Sequence, residues 1–330
     1  MSDALSKRVS EHRAGETARG RNAVQPHHIP WRGWKDILYR LWNEVSEDRV
    51  GTVAAGTTFF LLLAIFPALA ALVSLYGLVA DPVTMADHVA DMKGYVPAAV
   101  IDLVGQELQR LNQNRGTALS IGFVSGILIA LWSANNGVRA LFDALNVAYD
   151  ETEKRGFFKL LLTSLCFTLG GLAFAIVLLN VVIGVPLIVR FLQLGTIGEL
   201  LVTILPALVL FAVALLGLAM LYRFGPSRAR PKWRWVTAGS LGAAVVWLVF
   251  SVLFSWYLSK WTDYSATYGS LGAIIGVMMW IYLSLWVVLV GAELNAEIEH
   301  QTAQDTTVGP DKPLGSRGAF MADDVGQSQP

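Results

Sequence analysis

Six long apolar runs punctuate the chain, near Thr52–Val79, Thr117–Asn135, Phe158–Val185, Gly198–Phe224, Trp235–Leu258 and Gly269–Ala292. A helix needs roughly 20 apolar residues to cross about 30 Å of hydrocarbon. The pattern therefore predicts an all-α, polytopic membrane protein with six transmembrane helices. The first run is long enough to tilt. Pro67 in the first run and Pro206 in the fourth are candidate kink positions.

The segments between the runs carry their own periodicity. In "WRGWKDILYRLWNEV", Trp34, Ile37, Leu38, Leu41, Trp42 and Val45 share one helical face, and Lys35, Asp36, Arg40 and Glu44 take the rest. Such a helix lies on the inner leaflet, with Trp at its apolar edge, or packs against the bundle. The loop 81–116 has a stripe of Met85, Val89 and Met92 before Pro97. A second stripe follows, made of Val100, Ile101, Val104, Leu108 and Leu111. Two amphipathic helices are expected there, on the outer side.

The expected organisation is four-part. Residues 1–30 form a disordered tail, 31–50 an amphipathic interfacial helix, 51–300 the six-span domain, and 301–330 a second disordered tail rich in Gly, Pro, Ser and Asp. "FPALAAL" and "LPALVLF" echo one another in runs one and four, a weak hint of an inverted repeat.

Composition agrees. The chain is 54% hydrophobic and 15% charged, with mean hydropathy +0.51, whereas soluble domains carry about 25% charged residues. Net charge is zero, so placement matters more than the total. Lys and Arg near the runs number twelve on one side, from Arg32 to Arg234, and five on the other. The positive-inside rule then puts both termini in the cytoplasm. A lone cysteine, Cys166, excludes an intrachain disulfide and a thiol–zinc cluster. The polar, basic start lacks a signal-peptide core.

Polar groups in hydrocarbon are costly and often functional. Asn135, Asn136 and Arg139 cluster at the inner end of run two. They are either a helix exit or an anion cradle, since Arg forks to phosphate oxygens. Trp280 and Tyr282 lie well inside run six, filling a gap between helices or forming an aromatic wall for an acyl chain. Gly269, Gly272 and Gly276 would let that run approach a neighbour closely. Its end, "VLVGAELNAEIEH", brings Glu293, Asn295 and Glu297 to the inner edge, about 36 Å of helix from Gly269. Glu293 is expected to face an arginine there, from Arg49, Arg139 or Arg223. Thr57, Thr58 and Asn180 are the other polar side chains within runs.

Catalytic patterns are missing. The five histidines form no paired metal motif, and no phosphate-binding Gly-rich loop or nucleophile elbow occurs. No catalytic residue, metal or cofactor is expected. "RFGPSRARPKWRW" is basic with aromatics, but in a short loop it reads as the positive-inside signal with contacts to anionic lipid, not nucleic acid.

Four stretches, "YGSLGAIIGVMMWIYLSLWVVLVGAELNAEIEH", "AAGTTFFLLLAIFPALAAL", "LWSANNGVRALFDALNVAYDE" and "LYRFGPSRARPKWRWVTAGSLGAAVVWLVFSVLFSWYLSKW", resemble the YihY/BrkB family of bacterial inner-membrane proteins. The similarity covers roughly residues 35–300. Thr58-Phe59 departs from it, since many members have Tyr at the second position. The family's old label, ribonuclease BN, is generally regarded as an error. The resemblance implies an inner-membrane envelope protein, linked to serum resistance and to lipid handling between the two membranes. Handling of lipids or other amphiphiles is the leading expectation, with membrane lipids and envelope lipid-transfer proteins as partners. The alternatives are a non-catalytic scaffold and a small-solute transporter, with oligomeric state open.

Overall fold

A computed structural model describes residues 18–77, 105, 121–192, 195–260 and 271–329. The helices are α1 (Trp31–Glu47), α2 (Val50–Gly77), α3 (Ile121–Ala148), α4 (Phe157–Leu192), α5 (Gly195–Phe224), α6 (Trp233–Lys260), α7 (Leu271–His300) and the short α8 (Phe320–Asp323). A single 3-10 turn, Pro26–His28, precedes α1. Among the described residues the only β feature is an isolated bridge between Pro231 and Thr307. Helices prevail because a lipid-exposed backbone must satisfy its own hydrogen bonds.

The described part of each apolar run falls on one of α2–α7. Four segments are long and apolar enough to cross a membrane: Phe157–Val177, Ile204–Phe224, Trp233–Tyr257 and Ile274–His300. The pair α1 and α2, bent by 57°, makes a fifth if taken as one span. α2 and α5 run on through Pro67 and Pro206. The stripes expected in 81–116 lie outside the described residues, Gly105 excepted, as do Gly269 and the side chain of Asn180.

α7 is the hub, packing against α1, α2, α3, α6 and α8. The core gathers at one end of the bundle, around Val50, Phe142, Leu145, Tyr149, Tyr222 and Leu289. We call it the inner end. A smaller cluster beside it joins Ala23, Ile29, Ile37, Trp235 and Ile298.

Two crossings set the spacing. A Cβ on Gly239 would collide with the Gly291 carbonyl oxygen, and one on Gly291 would meet Ala243 Cβ and Tyr222 Oη at 2.6 Å, so α6 and α7 touch backbone to backbone. A Cβ on Gly137 would lie 2.9 Å from Ala64 Cβ, which joins α2 to α3. Gly276, expected at a close contact, has nothing within 4 Å of a built Cβ. The close approach is therefore nearer the inner end than the glycine spacing suggested.

α1 packs on the bundle by a largely polar face. It buries Gly33, Asp36, Ile37 and Arg40, while Trp31, Leu38 and Trp42 are exposed. Its polar face docks because the inner end of α7 is itself polar, carrying Glu293, Glu297 and Glu299.

The tails are corrected more fully. Residues 18–30 and 301–329 are folded over the inner end, not disordered; residues 1–17 lie outside the described part. Arg21 donates to the carbonyls of Gln301 (3.2 Å) and Gly326 (2.5 Å). Thr302 Oγ1 donates to those of Arg21 and Ala23. Lys232 N donates to Thr306 O, Ala229 N to Gly318 O, and Phe320 N to Glu151 Oε1. Arg317 is 4% exposed and donates to the carbonyls of Ala303, Gln304, Lys312 and Ala322. A tail poor in apolar residues is ordered here by arginine–carbonyl bonds rather than by burial of hydrocarbon.

The α6–α7 crossing gives a direct test. Gly239→Ala is expected to cost about 1–3 kcal/mol through overpacking against backbone. Gly276→Ala should stay within about 0.5 kcal/mol. Unfolding temperatures in detergent would check both.

Candidate functional site at the inner end

α3 does not end at the polar cluster; it runs on to Ala148. Asn135, Asn136 and Arg139 are therefore mid-helix side chains. Asn135 is 1% exposed and accepts a 3.2 Å bond from Thr168 Oγ1 of α4, so it ties two helices together. Asn136 is exposed. Arg139 is half-buried, and its Nε and Nη2 are buried without a hydrogen-bond partner. Its guanidinium stands 5.8 Å from the Trp132 ring and 5.7 Å from the Phe157 ring. Both rings are exposed. Cation–π contacts hold a guanidinium in place without using its N–H donors.

Arg223, at the end of α5, repeats this arrangement. It lies 4.1 Å from the Trp233 ring and 5.4 Å from that of Phe224, and its Nε and Nη1 lack partners. In the sequence it stands out as part of the orientation signal and as one of the arginines expected near Glu293. Thr57 and Thr58 simply bond back to the carbonyls of Val53 and Ala54, as such residues do in helices.

The α7 aromatics divide in role. Trp280 is 37% exposed and its ring lies 6.0 Å from that of Trp247, whose Nε1 donates to Ser284 Oγ at 3.0 Å. Tyr282 is half-buried, its hydroxyl 3.4 Å from where a Cβ on Gly51 would stand. Trp280 thus fills the α6–α7 gap while keeping an open face. Met278 and Met279 beside it are also exposed.

The acids of α7 have separate partners. Glu297 is fully buried and pairs with Arg40 Nε, with His300 Nδ1 at 3.5 Å. Arg40 also reaches Gln301 Oε1 at 2.8 Å and Gln327 O at 3.0 Å. Glu299 pairs with Arg228 at 2.7 Å and accepts from Thr306 Oγ1. Asn295 Oδ1 accepts from Gly239 N at 2.8 Å, which makes Asn295 part of the α6–α7 crossing. Glu293 does not meet the expected arginine. The charges acting most strongly on it are the carboxyls of Asp48, Glu44 and Asp150. The guanidinium from α1 has gone to Glu297, one turn further on.

Next to this end, Arg155 clamps the α3–α4 loop. Its Nε and Nη2 grip the two Glu153 oxygens at 2.8 and 2.6 Å, and Nη2 also reaches Gly225 O. Partial burial works to raise the Glu153 pKa, but the bonds from Arg155 outweigh it and hold the carboxyl down at about 2. Among the described residues no group of three His, Cys, Asp or Glu side chains could hold a metal ion.

These features define a helical membrane protein with several spans and a polar, tightly bonded inner end. The chain belongs to the family described as Virulence factor BrkB, which matches residues 41–314. It is 34% identical over 271 residues to a Bacillus subtilis (strain 168) protein named as ribonuclease-like, YfkH, covering 79% of this chain and 94% of that one. It is 24% identical over 271 residues to the UPF0761 membrane protein NTHI0384 of Haemophilus influenzae, covering 80% and 96%. It is 26% identical over 266 residues to the UPF0761 membrane protein NT05HA_1801 of Aggregatibacter aphrophilus, covering 80% and 92%. No solved structure matches it.

Two outcomes follow from these bonds. Arg40→Met strands Glu297 as a buried charge and is expected to cost about 3–5 kcal/mol. Arg40→Met with Glu297→Leu should recover part of that loss in a double-mutant cycle of unfolding temperatures. Glu153→Gln should cost roughly 1.5 kcal/mol at neutral pH, the low end for a charged bond at a partly exposed site. A depressed carboxylate stabilises above its ordinary pKa. The gap from the parent should therefore close between pH 4.5 and about 2.

Proposed function

We propose that the protein binds anionic lipids or related amphiphiles at the inner leaflet of the bacterial inner membrane and helps move them across it. The observation that carries this reading is Arg139. It is a guanidinium held beside two exposed aromatic rings and within the field of Asp143 one turn on, with its Nε and Nη2 buried and without a hydrogen-bond partner. Desolvated N–H donors favour a multidentate anion, and phosphate suits the guanidinium fork. Asn136, three residues before it, shares its side of α3. Arg223 supplies a second such guanidinium, and the exposed face of Trp280 suits an acyl chain.

The topology we assign has six spans, α2 to α7, with both chain ends cytoplasmic. It is supported by the twelve-to-five bias of Lys and Arg. α1 then lies along the inner leaflet, with Trp31, Leu38 and Trp42 turned to lipid and its polar face on α7. Envelope lipid-transfer proteins are the expected partners. We assign no RNA cleavage; neither Arg139 nor Arg223 stands in a recognisable catalytic arrangement.

A scaffold for envelope partners is the second reading. It is favoured by the ordered cap of residues 18–30 and 301–329, a surface that transport does not need.

Reconstitution into liposomes with labelled phospholipid separates the two. The intact protein should speed redistribution between leaflets. Arg139→Ala should slow it about tenfold, the equivalent of one lost charged hydrogen bond. No redistribution by the intact protein would overturn the transport reading in favour of the scaffold.

A further inference from the structure

Glu293 is the buried acid that the rest of the fold leaves without a cation. It is 1% exposed, and its Oε1 is buried with no hydrogen-bond partner. The carboxyl of Asp48, in the turn between α1 and α2, is the acidic neighbour that acts on it most strongly. Ionised carboxylates only accept hydrogen bonds, so two adjacent carboxyls can bond one another only when one of them carries a proton. Two acids sharing a site do not both ionise.

The neighbours deepen that need. α1 contributes Glu44, and the turn after α3 contributes Tyr149 and Asp150. Burial raises the Asp150 carboxyl above its ordinary value. Tyr222 of α5 is committed to the carbonyl of Val288. α6 sets Gly239 and Ala243 against Gly291 of α7, and α2 begins there with the apolar Val50 and Val53. The nearby cations are engaged elsewhere. Arg40 pairs with Glu297 and Arg228 with Glu299, while His300 lies beside Glu297 and Asp324 and also acts on Asp150. Arg49, in the same turn as Asp48, is exposed. A proton is the cation that two adjacent carboxyls can bind with no further ligand.

We propose that Glu293 and Asp48 form a proton-binding site at the inner end of the bundle, one proton shared between the two carboxyls and exchanged with water by way of Glu44 and Asp150. The site joins the bent α1–α2 element to α7. Loss or gain of the proton therefore acts on the contact between the hub helix and the first part of the fold. The proposal does not depend on lipid being the cargo.

Infrared difference titration of the full-length protein in lipid nanodiscs tests it. The intact protein should show a carboxylic-acid C=O band that grows as pH falls and shifts in D2O. Glu293→Gln should lose one component of that band and Asp48→Asn should shift the same component, both keeping the parent's helical circular dichroism. Should Glu293→Gln fail to fold, Asp48→Asn carries the same comparison. A band unchanged in a folded variant would overturn the site. So would a band that sodium displaces at constant pH when choline does not, since that marks a metal-cation site instead. Lipid redistribution is not part of this readout, so this proposal and the transport reading fail separately.

Discussion

The Arg40–Glu297 pair is the interaction on which the inner end depends. Removing two charges from water is expensive, and only good geometry with further hydrogen bonds offsets it. Here the same guanidinium also binds Gln301 and Gln327. One side chain thereby fixes α1 to α7 and α7 to the returning tail. Arg228 acts in the same way from the α5–α6 loop, through Glu299 and the Tyr149 ring at 4.5 Å. Without these pairs the acids of α7 would be buried charges facing one another.

That arrangement explains why the polar chemistry gathers at one end. Inside hydrocarbon each helix satisfies its own backbone, and side-chain charge is excluded. A 30-residue helix such as α7 is about 45 Å long, well beyond the hydrocarbon thickness. The surplus holds Glu293, Asn295, Glu297 and Glu299, and no two of them act alike. Asn295 sets a helix crossing, Glu297 and Glu299 hold the cap, and Glu293 is left to Asp48.

The helical architecture was legible because uniform apolar runs of span length have few other solutions. The cap was not, because its bonds join residues far apart, such as Arg21 and Gln301. Composition weighs hydrocarbon burial and is blind to an arginine reaching backbone carbonyls. The docking side of α1 was hidden for a related reason: its apolar stripe marks one face, but the surface that receives the helix is acidic and takes the other. At the site, Arg139 and Glu293 stand out in the sequence as unusual, but their surroundings do not. A run of sequence does not say that Arg40 reaches Glu297 before anything reaches Glu293, or that Gly239 rather than Gly276 makes the tight crossing.

The folded cap also has a topological consequence. Residues 18–30 and 301–329 bond directly to one another, as Thr302 does to Arg21 and Ala23. Two segments in contact lie on the same side of any sheet that the chain between them threads. The chain must therefore cross that sheet an even number of times. The four segments that pass by length and composition meet this parity, and counting the bent pair as a fifth breaks it. The proposed six restores it, with α3 as the remaining crossing.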